Sequence, residues 1–293
     1  MRVARWTART CAVIGLAAGV LVAAQQPADE PPKAFGSGVT PAYDGWFDNA
    51  DGSHSFLVGY LNRNRAREID VPIGPNNRIE PGGPDMGQPT HFLPGRQQGL
   101  FVVTVPKDFG AQQKLTWTLV VNGETNSIPL RMVPDYVIDP FVEASVHNTP
   151  PVLHLFEANA AAIQGPIAQL AKAVSRTTSV AAPLALPLWA DDDAHFTNNS
   201  SVPLSRPRPP VTLTWSKFRG AGGVAFDKPR PALDTLKGGA VDQPYSGKAT
   251  ATVKFDAPGD YALHVTANDF SGVGGGGFLC CWTNALVKVA VTP

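Results

Sequence analysis

The stretch ATATVKFDAPGDYALHVTANDF, residues 249–270, decides the fold. Over residues 250–255 and again over 261–267, apolar or β-branched residues alternate with smaller or polar ones. This alternation has the two-residue period of a half-buried strand. Residues 257–260 (APGD) form a turn, because proline fixes one φ angle, glycine permits the next bend, and aspartate bonds its own backbone. The stretch therefore predicts two β-strands joined by a tight corner.

Tyr261 follows this corner and is expected to fold over it as a tyrosine corner, with its hydroxyl bonded to the backbone upstream. The surrounding residues, APGDYALHVTAND (257–269), resemble the passage from strand E to strand F in PKD-like and cadherin-like immunoglobulin-fold domains of bacterial secreted proteins. Three further segments are similar to the start, strand B and the last strand of such domains, namely NTPPV (148–152), LALPLWADDD (184–193) and ALVKVAVTP (285–293).

The resemblance implies an immunoglobulin-fold domain over residues 148–293. Modules of that family act mostly as spacers, adhesion units or carbohydrate-associated domains. One short helix is expected inside it, because PIAQLAKAV (166–174) starts with a proline and places three apolar side chains on one helical face.

The preceding residues, 36–140, contain short alternating segments separated by turn residues. The clearest strands are LFVVTVP (100–106) and LTWTLVV (115–121), and the turn residues Asn122 and Gly123 follow the second of them. We expect a β-sandwich here as well. The predicted fold is all-β, with two immunoglobulin-like β-sandwich domains in tandem after a signal peptide.

The composition agrees with this fold class. Of 293 residues, 43% are hydrophobic and 16% are charged, with 28 Gly and 28 Pro. This balance favours many short strands and turns over long charged helices. The formal net charge is zero, which gives no reason to expect nucleic acid or an anionic membrane as a partner.

The first residues predict export. Arg2, Arg5 and Arg9 precede the apolar run CAVIGLAAGVLVAA (11–24), which ends in small residues. A basic start, a short apolar core and a small-residue cleavage site are typical of a secretory signal peptide, here residues 1–24. The Pro-rich, polar residues 25–35 read as a disordered lead-in. We expect a periplasmic, cell-surface or extracellular protein with no membrane span after cleavage.

Carboxylates make the first candidate site. Asp191, Asp192 and Asp193 follow the segment similar to strand B, and Asp269 follows the one similar to strand F. The loops after strands B and F lie at the same end of an immunoglobulin fold. The four carboxylates are therefore a candidate Ca²⁺ site, with backbone or amide oxygens completing the shell. The alternative is that three adjacent aspartates simply solvate a loop.

The second candidate is the pair Cys280 and Cys281, the only cysteines left once Cys11 leaves with the signal peptide. In an oxidising compartment two adjacent thiols can close a disulfide ring. Such a pair can act as a redox element or hold a soft metal. The alternative is a structural disulfide, or buried thiols, that stabilises the loop.

Exposed aromatic rings would matter for sugar binding, because flat rings stack on pyranose faces. Trp46 and Trp282 lie near predicted turns and are the candidate ligand-binding residues, whereas Trp117 and Trp215 lie within alternating strands and are expected in the core. The sequence shows no G-x-S-x-G nucleophile turn and no H-E-x-x-H metal motif.

Three functions are compatible with these features. The first is a non-catalytic exported module for binding, adhesion or structure, with a cell-surface polysaccharide or another exported protein as partner. The second is an extracytoplasmic redox or metal-handling protein that uses Cys280 and Cys281. The third is a carbohydrate-processing enzyme with its site in the first domain. We expect the first of these.

Overall fold

The computed structural model describes residues 33–144, 147–195, 209–239, 243–273 and 279–293. The described residues belong to one compact unit, and residues 1–32 lie outside the described ranges. The predicted signal peptide and most of the predicted lead-in therefore fall outside them. The last residues of the lead-in are bonded, because the carbonyl oxygens of Lys33 and Ala34 accept hydrogen bonds from the amides of Arg65 and Ala66, at 3.0 and 3.2 Å.

The regular elements of the described residues are β-strands, apart from two 3-10 turns at Pro134–Tyr136 and Leu170–Lys172. We call residues up to 144 the N-terminal half and residues from 147 the C-terminal half. The N-terminal half contains β1 (Val39–Asp48), β2 (His54–Asn62), β3 (Ile69–Asp70), β4 (Asn77–Glu80), β5 (His91–Phe92), β6 (Gly95–Val105), β7 (Leu115–Val121) and β8 (Glu124–Leu130). The C-terminal half contains β9 (Val152–Leu155), β10 (Ile163–Gln164), β11 (Val174–Ser179), β12 (Leu184–Asp192), β13 (Thr212–Arg219), β14 (Val224–Phe226), β15 (Asp234–Lys237), β16 (Tyr245–Phe255), β17 (Gly259–Asn268) and β18 (Trp282–Thr292).

The C-terminal half has the strand order of an immunoglobulin-like sandwich. One sheet has the order β10-β9-β12-β16, with β14 and β15 on the far side of β16, and the other has the order β11-β18-β17-β13. These are the A-B-E-D and G-F-C arrangements of that fold. The tyrosine corner is confirmed, because the Tyr261 hydroxyl donates to the Ala257 carbonyl at 2.8 Å where the chain crosses from one sheet to the other.

The N-terminal half follows the same plan with fewer strands. Its sheets have the orders β1-β2-β6 and β4-β7-β8, which correspond to A-B-E and C-F-G, and β3 pairs with β5. Residues Asn122 and Gly123 form the turn between β7 and β8 with positive φ angles of 51° and 80°, as a tight hairpin requires. Trp117 and Trp215 are 0% and 2% exposed, so their predicted core positions are confirmed.

The predicted helix over 166–174 is wrong. Only the 3-10 turn Leu170–Lys172 forms there. The carbonyl of Ala168 accepts a hydrogen bond from the amide of Val102 in the other half, at 3.3 Å, and Gln169 Nε2 donates to Thr104 Oγ1 at 2.7 Å. Contacts with the N-terminal half therefore override the local apolar period.

The two halves share apolar contacts. The cluster that fills the N-terminal sandwich also includes four residues of the C-terminal half, Ala168, Phe218, Ala262 and Leu286. A second cluster places Trp282 of β18 against Phe47, Leu57 and Val102 of the N-terminal half. The prediction of two separate tandem domains is not confirmed by this arrangement and stays a prediction.

Polar contacts reinforce the same interface. The Arg219 guanidinium pairs with the Asp85 carboxylate through two hydrogen bonds of 2.8 and 2.9 Å, and Lys217 Nζ lies 3.1 Å from Asp70 Oδ1. Asn284 Nδ2 donates to the Gly99 carbonyl at 2.5 Å. None of the helical turns in the described ranges is long and apolar enough to span a bilayer.

Gly99 provides a test of this interface. Its φ angle is +48°, and a Cβ atom there would lie 2.4 Å from Cζ2 of Trp282. We expect Gly99→Ala to lower the free energy of unfolding by about 1 kcal/mol for the left-handed backbone and by a further 1–3 kcal/mol or so for overpacking. Gly95→Ala is the matched control on the same strand, because Gly95 has φ +83° and no atom within 4 Å of its Cβ position. Equal losses in urea unfolding of the two variants would contradict a close contact with Trp282.

Candidate functional site

Three connecting segments meet at one end of the C-terminal sandwich. They are the described part of the connection between the halves (143–144 and 147–149), the turn after β12 and the turn after β17. Asn148, Asp192, Asp193 and Asp269 lie there, and we call these four residues the loop-end cluster. Asn148, Asp192 and Asp269 are 0%, 7% and 3% exposed, so this is a buried polar site.

Asp269 and Asp193 are bound to the chain on both of their oxygens. Asp269 Oδ2 accepts from Asn148 Nδ2 at 2.6 Å, and its Oδ1 accepts from the Ser271 amide at 2.8 Å. Asp193 Oδ2 accepts from the amide and the hydroxyl of Thr149 at 2.9 and 2.7 Å, and its Oδ1 accepts from the His195 amide at 3.0 Å. These bonds attach the connection between the halves to both turns.

Asp192 is only partly satisfied. Its Oδ2 accepts from the Ala194 amide at 2.9 Å, whereas its Oδ1 is buried without a hydrogen-bond partner among the described residues. Asn148 Oδ1 is in the same condition. Buried polar atoms normally have a partner, so these two oxygens are the ones in the cluster that can still accept a proton donor or a cation.

Burial controls the charge of this cluster. It raises the pKa of Asp192 to about 8, and the nearby carboxylates of Asp269 and Asp193 act in the same direction, against the bond from Ala194. Burial also raises the pKa of Asp269 to about 6, although the bonds from Ser271 and Asn148 oppose it. Without a bound cation, Asp192 is therefore largely protonated at neutral pH.

Asp191 points elsewhere. Its carboxylate is 49% exposed and lies 3.5 Å from His154 Nε2. All three consecutive aspartates line an open cavity of about 270 Å³, together with Thr149, Lys237 and Tyr245. Within the described ranges, no group of three or more His, Cys, Asp or Glu side chains has an arrangement that could hold a metal. The predicted Ca²⁺ site therefore stays a prediction, and it would need the Asn148 oxygen or backbone carbonyls as ligands.

Cys280 and Cys281 form a disulfide with each other, and both are 0% exposed. Cys281 Sγ lies 3.2 Å from the Asn148 carbonyl oxygen, and the Cys281 amide donates to Ser271 Oγ at 3.1 Å. A disulfide sulfur carries no proton, so the first contact is one of packing. The disulfide thus lies directly beside the loop-end cluster.

The two candidate tryptophans differ. Trp282 is 2% exposed and packs between the halves, so its ring has no open face for a sugar, contrary to the expectation from its place near a turn. Trp46 is half-buried on β1, and its Nε1 donates to the Val133 carbonyl at 2.8 Å. Tyr136, which sequence analysis did not identify, is 49% exposed and stacks on Tyr43 with ring centroids 5.5 Å apart.

The pKa of Asp192 provides a test of the cluster. The stability conferred by its uncharged carboxyl is fully present below the unfolded-state pKa of about 3.9 and is lost as the pH rises through about 8. The free energy of unfolding of wild type should fall between pH 4 and pH 8.5. Because asparagine does not ionise, the fall should be smaller for Asp192→Asn, by about 3 kcal/mol. The measurement is urea unfolding at several pH values with EDTA present.

Asp260→Asn is the matched control, because Asp260 is an exposed carboxyl at the start of β17, directly before Tyr261. Its pH profile should parallel that of wild type. If Asp192→Asn also gave a parallel profile, Asp192 would not be a buried carboxyl that resists ionisation.

Comparisons with known proteins give no family. No family model matches the chain, and no curated protein matches it. Among solved structures, similarity is found to the D00-D0 domain of intimin (13% identity, 86% of this chain and 99% of that chain, TM-score 0.24). It is also found to a protein of unknown function from Porphyromonas gingivalis W83 (8% identity, 87% and 100%, TM-score 0.23) and to domains 4 and 5 of the S-layer protein SbsC (12% identity, 88% and 98%, TM-score 0.20). These TM-scores are low, and no function is transferred from these proteins.

Proposed function

We propose that this chain is an exported, non-catalytic module for binding, adhesion or structure in the periplasm or at the cell surface. The observation that carries the proposal is that the candidate site residues mostly bond to, or pack against, other parts of the same chain. Asp193, Asp269 and Asn148 bind other parts of the chain, and Trp282 joins the halves. These buried polar groups and the tryptophan therefore stabilise the fold. This supports a protein that binds a partner through its exposed surface.

A cell-surface polysaccharide is the partner that we favour, and another exported protein is the alternative. The exposed side chains beside β1 support the first. Tyr136 has one ring face against Tyr43 and remains half exposed, and Val137 beside it is 51% exposed. An aromatic ring that is held in place with one open face is suited to stacking on a sugar. The half-buried Trp46 lies on β1, as Tyr43 does, and forms a β-bridge with Val137.

The test is binding of the purified chain to isolated cell envelopes of its host, quantified by sedimentation. Tyr136→Ala should weaken binding about tenfold, since loss of one stacked ring is worth about 1–1.5 kcal/mol. Leu236→Ala is the matched control, because Leu236 is 59% exposed in the C-terminal half. The double variant Cys280→Ser/Cys281→Ser should bind within about twofold of wild type at a temperature where both are folded.

The same experiment separates the redox alternative. A redox or metal-handling protein that uses Cys280 and Cys281 would lose its activity in the double variant, and its disulfide would be open to reductants. Both cysteines are fully buried, so a reductant reaches them only if the loop opens. A disulfide that opens under mild reductant in the folded protein, with envelope binding unchanged in Tyr136→Ala, would favour this alternative over our proposal.

A second candidate function, Ca²⁺ binding at the loop-end cluster, is favoured by one observation. The unpaired oxygens of Asn148 and Asp192 are the hard ligands that Ca²⁺ prefers, and the carboxylate of Asp269 lies beside them. A bound cation would remove the cost of ionising two buried carboxylates.

Thermal unfolding at pH 7.5 with CaCl₂ or with EDTA tests this candidate. At a Ca²⁺ concentration 100 times the Kd, binding stabilises by about 2.7 kcal/mol, which raises the Tm by about 5–10 °C for a chain of this size. Asp192→Asn should abolish most of the rise, whereas Asp260→Asn should retain it. Equal Tm values for wild type with CaCl₂ and with EDTA would exclude this cation site.

A further inference from the structure

A rigid basic loop follows β2. Its sequence from residue 62 to residue 67 is NRNRAR, in which asparagine and arginine alternate at the start. Asn62 and Asn64 are each 1% exposed, whereas Arg63, Arg65 and Arg67 are all exposed. The alternation therefore directs the amides into the protein and the guanidinium groups into solvent.

Buried hydrogen bonds fix this loop. Asn62 Nδ2 donates to the carbonyls of Arg67 and Phe92 at 2.9 and 3.0 Å, and Asn62 Oδ1 accepts from the amide of Asn64 at 3.0 Å. Asn64 exchanges two bonds of 2.9 Å with the backbone of Ser37. The loop is thus ordered before any partner binds, which lowers the entropy cost of binding.

Opposite the loop lies the segment 33–38, joined to it by backbone bonds such as Arg65 N to Lys33 O at 3.0 Å. This segment carries Phe35, which is 65% exposed, and Leu61 at the end of β2 is 38% exposed. We call these residues together the basic-apolar patch: Lys33, Phe35, Leu61, Arg63, Arg65 and Arg67. Two of the large exposed hydrophobic side chains of the described residues thus lie among four cations.

The acidic neighbours only partly neutralise the patch. Glu124 pairs with Arg63, Lys33 has a partner of its own, and Glu68 lies 3.2 Å from His91 Nε2, so the positive charge of the patch rests mainly on Arg65 and Arg67. No other described residue pairs with the guanidinium groups of Arg65 and Arg67. The zero net charge of the whole chain conceals this local excess of positive charge.

We propose that the basic-apolar patch binds the surface of a bilayer that contains anionic lipids. Guanidinium groups bind phosphate oxygens with two parallel hydrogen bonds, which suits them to lipid headgroups. An exposed phenylalanine and leucine beside them can enter the boundary between headgroups and acyl chains. A soluble acidic polysaccharide would use the arginines but gain little from Phe35, so the combination favours a membrane.

Flotation with lipid vesicles tests the proposal on the full chain. The probes are phosphatidylcholine vesicles with and without about 30% phosphatidylglycerol, at low salt. We expect binding that requires the anionic lipid and weakens steeply as NaCl is raised to about 0.5 M. Residues 1–24 carry Arg2, Arg5 and Arg9 beside an apolar run and can themselves bind anionic lipid, but this contribution is common to wild type and variants. The differences between variants therefore report on the patch.

The variant Arg65→Gln/Arg67→Gln should bind about 25-fold more weakly, at about fivefold for each cation near the surface. Phe35→Ser should weaken binding about tenfold. The matched control is Lys107→Gln/Lys114→Gln, which removes two exposed cations beyond the opposite end of β2 and β6 and should bind as wild type does. The altered side chains are exposed, and an unchanged Tm verifies that each variant is folded.

Three results would overturn the proposal. The first is the absence of flotation with anionic vesicles, and the second is equal weakening by the arginine and lysine double variants. The third is binding that needs the arginines but not Phe35 and that is reproduced by soluble dextran sulfate. That third result would assign an acidic polymer, and not a membrane, to the patch.

Discussion

The contact of Trp282 with Gly99 and Leu57 is the constraint on which the arrangement of the two halves depends. Trp282 begins β18, which lies between β11 and β17 in one sheet of the C-terminal sandwich, and its ring packs on Leu57 of β2 and Val102 of β6. Gly99 fits under it because it has no side chain, and its carbonyl accepts the bond from Asn284. The start of β18 in the C-terminal half is thereby fixed by its packing on β2 and β6 of the N-terminal half.

Contacts made by the connection between the halves also explain the loop-end cluster. In the connection between the halves, Thr149 bonds to the turn after β12 and Asn148 bonds to the turn after β17, so Asn148 lies between Asp269 and the Cys280–Cys281 disulfide. Burial there makes ionisation of Asp192 unfavourable unless a cation is bound. Protonation of Asp192, the cation binding that we propose and reduction of the disulfide would therefore all act on the same few hydrogen bonds.

Local patterns predicted the strands and the corner at Tyr261, because alternation and turn residues are short-range signals. They also predicted that Asp192 and Asp269 come together, since both follow strands that end on the same side. They failed for the segment 166–174, for Trp282 and for the basic-apolar patch. In each case contacts with a distant part of the chain decide the outcome. A bond from Val102 keeps Ala168 out of a helix, residues of the N-terminal half cover Trp282, and Ser37 orders the arginine loop.

Differential scanning calorimetry of the full chain tests the central claim, that the shared contacts join the halves into one cooperative unit. The account predicts a single unfolding transition with equal calorimetric and van't Hoff enthalpies. Two resolved transitions, or a calorimetric enthalpy well above the van't Hoff value, would show that the halves unfold independently and would contradict it.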